Sequence, residues 1–121
     1  MLRPMRILLA EDERTVSRLI TQVLASLGHD VTGVQSATDA IAQLDAGEFD
    51  LVLLDLNLTD GDGMRVVDAL QKQPARKIPV VLMTGEHVLD AGDPRTARVA
   101  GVLAKPFELE ELEATVRRFT A

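Results

Sequence analysis

The run Leu51-Val-Leu-Leu54 is apolar without a break and stops at the carboxylate of Asp55. A strand with one wet face alternates polar and apolar residues. One that is apolar throughout must be covered on both faces, as a central strand of a parallel sheet is. This segment therefore demands helices on either side, and the flanking sequence supplies them. Arg6 to Ala10 reads as another buried strand. Val16, Leu19, Ile20, Val23, Leu24 and Leu27 then recur at three- and four-residue steps, an amphipathic helix that Gly28 ends. Asp30 to Val34 is a short strand, and Ser36-Ala-Thr-Asp39 resembles a capping box opening a helix with Ile41 and Leu44 inward. Met64 to Gln73 carries Val66, Val67 and Leu70 on one face and is stopped by Pro74. Pro79 to Met83 and Val102 to Ala104 read as the fourth and fifth strands. Glu108 to Phe119 closes the chain as a helix with Leu109, Leu112, Val116 and Phe119 inward.

Strand and helix thus alternate about five times, which predicts an α/β fold: a doubly wound parallel sheet with helices on both faces. The 121 residues fit one domain, 1–121, with no visible repeat or linker. The net charge of -6 disfavours nucleic-acid phosphates and anionic membranes as partners. No cysteine is present, which excludes disulfides and thiolate metal sites and suits a cytoplasmic setting. The apolar run after the basic start, Ile7 to Ala10, is too short for a secretory leader, and no stretch approaches the ~20 apolar residues of a membrane span.

In open α/β sheets ligands bind beyond the carboxyl ends of the strands. The first strand ends in Glu11-Asp12, the third in Asp55-Leu-Asn57, the fourth in Thr84-Gly85-Glu86 and the fifth in Lys105-Pro106-Phe107. Each alone is an ordinary turn or loop. Together, with strands one, three, four and five side by side, they place three carboxylates, a hydroxyl and an ammonium in one cleft. Crowded carboxylates repel each other unless a cation neutralises them. Oxygen donors that leave room for waters suit Mg²⁺. A carboxylate held beside a cation and a lysine is a plausible nucleophile toward a phosphoryl group, with catalysis by positioning and electrostatics.

Ile7-Leu-Leu-Ala-Glu-Asp12, Asp50-Leu-Val-Leu-Leu-Asp55, the turn to Gly63, Leu82-Met-Thr-Gly85 and Ala104-Lys-Pro-Phe107 occur in the order, and over nearly the whole length, of a known family. The chain resembles the receiver domains of two-component response regulators. The resemblance implies a flavodoxin-like five-stranded sheet of order 2-1-3-4-5. It implies Asp55 as phosphoacceptor, with Asp12 and Asp55 ligating Mg²⁺ through side chains, Glu11 through water and Asn57 through its main-chain carbonyl. Thr84 would bond the phosphoryl group and shift on activation, Lys105 would pair with a phosphoryl oxygen, and Lys105-Pro106 would be cis. The donor would be a histidine kinase or histidine phosphotransfer protein docking near Arg14, Val16 and Arg18. The output would be a downstream protein target or a fused output domain. Such a chain is no enzyme beyond catalysing its own phosphorylation and dephosphorylation. Polar Asn57 and Glu86, two residues beyond the acceptor and the threonine, imply a short-lived acyl phosphate.

Two departures from the family pattern stand out. Val102, three residues before Lys105, replaces an aromatic that swings with the threonine, and it reads here as an ordinary strand residue. The segment from Glu86 to Gly101 contains Gly92-Asp93-Pro94, and Pro94 disfavours helix at Asp93. The fourth helix is expected to be short or irregular, capped by Asp93, with Pro94 first and Gly101 at its C-terminus. Asp60-Gly-Asp-Gly63 does not match a calcium loop and reads as a turn into the third helix. His29 and His87 lack metal-ligand spacing and read as surface residues. Three other functions fit the residues less well. A haloacid-dehalogenase-like phosphatase needs a second Asp where Asn57 stands. A flavin carrier lacks Trp and Tyr for stacking. A receiver-like interaction module without chemistry would not need the full set of acidic, hydroxyl and lysine groups.

Overall fold

The computed structural model describes residues 3–85 and 92–120. In chain order the elements are β1 (Arg6–Ala10), α1 (Arg14–Ser26), β2 (Asp30–Val34), α2 (Ala37–Ala46), β3 (Leu51–Asp55), the two-residue strands β4 (Asn57–Leu58) and β5 (Gly61–Asp62), α3 (Met64–Gln71), β6 (Val80–Thr84), a 3₁₀ turn (Pro94–Arg98), β7 (Val99–Ala104) and α4 (Leu109–Arg117). Five strands form one parallel sheet in the order β2-β1-β3-β6-β7. Counting only these strands, that is the expected 2-1-3-4-5. The short antiparallel β4–β5 ribbon lies outside the sheet. No helix among the described residues is long and apolar enough to cross a membrane.

The central strand decides the layering. All five residues of β3 are buried, and alternate side chains serve opposite cores. Leu8, Val52, Leu54, Val80 and Leu82 meet α2 and α3 on one face. Ile7, Leu9, Leu51, Leu53, Val81 and Met83 meet α1 and α4 on the other. Strands apolar on both sides were the reason to expect helices on both sides.

Ser36 Oγ accepts the Asp39 N–H at 3.0 Å, as the capping motif predicts. Gly28 ends α1 with φ +93°, a conformation open to glycine at little cost. Three expectations need correction. His29 is buried, with the Met5 N–H donating to its Nδ1 at 3.0 Å; the approach of Met5, just ahead of β1, to the α1–β2 turn covers it. Leu109 is 36% exposed, because it opens the first turn of α4, whose inward positions are Leu112 and Val116.

The third correction concerns the segment before β7. Asp93 does cap it, accepting the Arg95 N–H at 2.9 Å. It is short and irregular, as expected, a five-residue 3₁₀ helix ending at Arg98, but Gly101 lies inside β7 rather than at a helix end. Pairing with β6 claims the chain from Val99 onward, with a register irregularity between Val80 and Val81, so the last strand is longer than periodicity suggested. Glu86, His87 and the rest of 86–91 lie outside the described residues.

Candidate functional site

Strand register builds the site. Ala10 pairs with Leu54, so the next residues, Glu11 and Asp55, emerge side by side at the carboxyl edge. Thr84 pairs with Ala104, which sets Lys105 beside Thr84, and the Lys105 N–H donates to the Thr84 carbonyl at 2.8 Å. Glu11 is anchored by its own N–H to the Val34 carbonyl at 3.0 Å. The Lys105-Pro106 bond is cis, as expected.

The side chains converge. Lys105 Nζ donates to Glu11 Oε1 at 2.6 Å and to Asp55 Oδ2 at 2.9 Å. The other Asp55 oxygen, Oδ1, accepts the Asn57 N–H at 2.9 Å, and Glu11 Oε2 accepts the Glu13 N–H at 3.2 Å. Glu11, Asp55 and Thr84 are all buried. Carboxylate oxygens of Glu11, Asp12 and Asp55 lie within 4.8 Å of one another. Of the residues singled out in the sequence, Glu11, Asp12, Asp55, Asn57, Thr84 and Lys105 are therefore gathered at one edge. Val102 is not. It pairs with Leu82, two positions short of Thr84, and is 42% exposed.

Burial, reinforced by the Asp55 carboxylate, raises the Glu11 pKa to about 7, while Lys105 and the Glu13 N–H work against it. Burial opposes the charge of Lys105, but its bonds to Glu11 and Asp55 outweigh this and raise its pKa. The ammonium thus stays charged and is shared between two carboxylates. Three carboxylates and one lysine still leave an excess of negative charge, and an all-oxygen donor set fits a hard divalent cation. Beside this cleft, Val16, Leu19 and Ile20 of α1 face Lys105, Phe107 and Leu109 across a groove of about 400 Å³.

Two supports escaped the sequence. Gly63 is packed so tightly under the acceptor that a Cβ would run into the Asp55 carbonyl oxygen and lie 3.0 Å from Leu56 Cα. Its place at the end of the turn is visible in the sequence, but the reason it must be glycine is not. Asp60, read only as a turn residue, reaches the N-terminus of α2, where Ala37 N–H (2.8 Å) and Thr38 N–H (3.0 Å) donate to it. Those partners are 23 and 22 residues away, and no local pattern marks them.

The model of a family described as response regulator receiver domain matches residues 7–117. The transcriptional regulatory protein TcrA of Mycobacterium tuberculosis is 35% identical over 119 residues, 93% of this chain and 44% of TcrA. The swarming motility regulation protein RssB of Serratia marcescens is 34% identical over 120 residues, 93% of this chain and 52% of RssB. The chain spans about half the length of these relatives. Among solved structures, a putative response regulator from Chloroflexus aurantiacus superposes with a TM-score of 0.81 at 26% identity, covering 98% of both chains. The chemotaxis response regulator CheY4 of Vibrio cholerae shares the fold, with a TM-score of 0.85 at 24% identity, over 96% of this chain and 98% of that one.

Proposed function

Because the chain belongs to the response regulator receiver family, whose role in two-component signalling is to accept a phosphoryl group, we propose that Asp55 is the acceptor and that residues 1–121 form one receiver module. The observation that carries this is the buried Asp55 carboxylate, bonded to Lys105 and to the Asn57 N–H and grouped with Glu11 and Asp12. An Asp55 oxygen attacks phosphorus, the donor's P–N bond to histidine breaks, and an acyl phosphate forms as the imidazole leaves. Lys105 would pair with a phosphoryl oxygen once its bond to Asp55 is relinquished. Thr84, buried at the end of β6, would bond the same group.

Asp12 and Asp55 would hold Mg²⁺ through side chains, Asn57 through its carbonyl and Glu11 through water. When bound, the ion supplies positive charge that offsets the carboxylates and the incoming phosphoryl oxygens. Catalysis extends only to this domain's own phosphorylation and dephosphorylation. Asn57, polar and exposed beside the acceptor, supports a short-lived acyl phosphate. The phosphodonor, a histidine kinase or phosphotransfer protein, must bring its phosphohistidine to Lys105 and Asp55. The apolar α1 groove that borders Lys105, with Arg14 and Arg18 on the same helix, is the surface for that contact. Output would pass to a protein target or a fused domain, as the greater length of the relatives suggests.

Incubation with acetyl phosphate and Mg²⁺, followed by mass spectrometry of the intact protein, tests the assignment. One phosphoryl adduct is expected in the wild type and none in Asp55→Asn. An adduct that persists in Asp55→Asn would falsify it.

A further inference from the structure

The loop that leaves Asp55, residues 56–63, is secured at both ends. At its root the Gly63 N–H donates to the Leu56 carbonyl at 2.8 Å, and the Asn57 N–H donates to Asp55 Oδ1. At its tip, Asp60 leaves the loop altogether. Its Oδ1 accepts the Ala37 N–H at 2.8 Å, and its Oδ2 accepts the Thr38 N–H at 3.0 Å and the Thr38 hydroxyl at 2.7 Å. Arg65 on α3 donates to the same Oδ2 at 3.1 Å, and the Thr59 N–H donates to the Gln35 carbonyl at 3.2 Å. A helix N-terminus leaves its first amide donors without partners in the helix and carries partial positive charge, so an anion there is well held. These bonds depress the Asp60 pKa, the Thr38 hydroxyl first among them, so the carboxylate stays ionised.

The arrangement joins the capping of α2 to the loop beside the acceptor. Ser36 already takes the Asp39 N–H with its hydroxyl and the Ala40 N–H with its carbonyl. Asp60 takes the two donors that remain in the first turn, and it does so from a loop whose other residues border the acceptor. Leu58, buried between the two anchors, keeps the β4–β5 ribbon against the core. Fixing Asp60 therefore fixes the backbone from Asn57 to Asp62, since Asn57 pairs with Asp62 and Leu58 with Gly61.

We propose that Asp60 is a positioning residue for the metal site: by seating on the N-terminus of α2 it holds the backbone at Asn57 against Asp55. The role rests on the assignment of the Asn57 carbonyl to Mg²⁺ made above. Asp60 touches neither the phosphoryl group nor the ion. Residues that orient metal ligands from behind commonly change metal affinity by ~10–100-fold when removed.

The test compares Asp60→Ala with Ser36→Ala, which weakens the same helix terminus without touching the loop. Mg²⁺ affinity is measured by isothermal titration calorimetry, and amide hydrogen exchange is followed in metal-free protein. Asp60→Ala should raise the Mg²⁺ dissociation constant about tenfold and speed exchange at Thr59 and Gly63. Ser36→Ala should leave both within about twofold of wild type, because its side-chain bond lies inside α2. Asp60→Ala matching wild type in both readouts overturns the proposal. So does Ser36→Ala matching Asp60→Ala, since the effect would then be helix stability alone. Wild-type protein that binds no Mg²⁺ removes the metal assignment and this role with it. Protein that binds Mg²⁺ but takes no phosphoryl group refutes the acceptor reading and leaves the Asp60 result standing.

Discussion

At the scale of single residues, burial and backbone proximity set the chemistry. Gly63 is held under the Asp55 carbonyl, so a methyl group there can be admitted only by moving main chain. Gly63→Ala is expected to cost roughly 2–3 kcal/mol in urea unfolding and to lower the rate of phosphorylation by acetyl phosphate. A variant of wild-type stability would show that the loop yields. Glu11 gives a pH signature. Its folded pKa of about 7 lies above the 4.5 of an unburied glutamate, burial being the main cause. Between these values the folded chain binds a proton that the unfolded chain has released, so metal-free stability falls as pH rises through that window, by on the order of 3 kcal/mol at most. Urea titrations from pH 4.5 to 8 should show the decline in wild type and a flatter profile in Glu11→Gln. An equally steep profile in the variant would assign the titration to another group.

At the scale of elements, arginines tie the 3₁₀ segment before β7 to α3. Arg98, at the end of the 3₁₀ turn, donates to the carbonyls of Leu70 (2.7 Å), Gln73 (2.8 Å) and Arg76, closing the C-terminus of α3. The Pro94 carbonyl accepts from Gln71 at 3.1 Å, and Arg95 pairs with Asp68 at 3.4 Å. The short segment is thus tied to α3 by charge-assisted bonds to helix-end carbonyls, which favour cations. Arg98→Ala should cost ~2 kcal/mol by chemical denaturation, the loss of charged donors to half-buried carbonyls. Arg98→Lys should recover only part of it, since one ammonium cannot span the same carbonyls in a fixed fork. Full recovery by lysine would mean that charge alone is needed.

At the scale of the whole molecule, the two cores share the central sheet, and β3 contributes to both. Leu53→Ala, at a fully buried position, should cost about 2–5 kcal/mol. Leu19→Ala, at a site 46% exposed on the α1 groove, should change stability by about 0.5 kcal/mol or less while slowing phosphotransfer from a protein donor more than from acetyl phosphate. Equal slowing with both donors would place Leu19 in the chemistry rather than in docking. Paired measurements of this kind separate fold from function because the groove residue is largely surface and the strand residue is not.

The layers, the parallel sheet and the acidic, hydroxyl and lysine groups at its edge were legible in the sequence. They rest on local rules: apolar runs, three- and four-residue spacing, and the polar residue at which each run stops. Strand register then brings Glu11, Asp55, Thr84 and Lys105 together almost automatically. What escaped depended on partners far away along the chain. The burial of His29 arises from the approach of β1, the extent of β7 from pairing with β6, and the seat of Asp60 from a helix 22 residues earlier. Local sequence fixes which groups are available and in which direction each element presents them. Only tertiary packing decides which buried donors and backbone carbonyls meet, because those contacts are set by loops whose conformations no single segment determines.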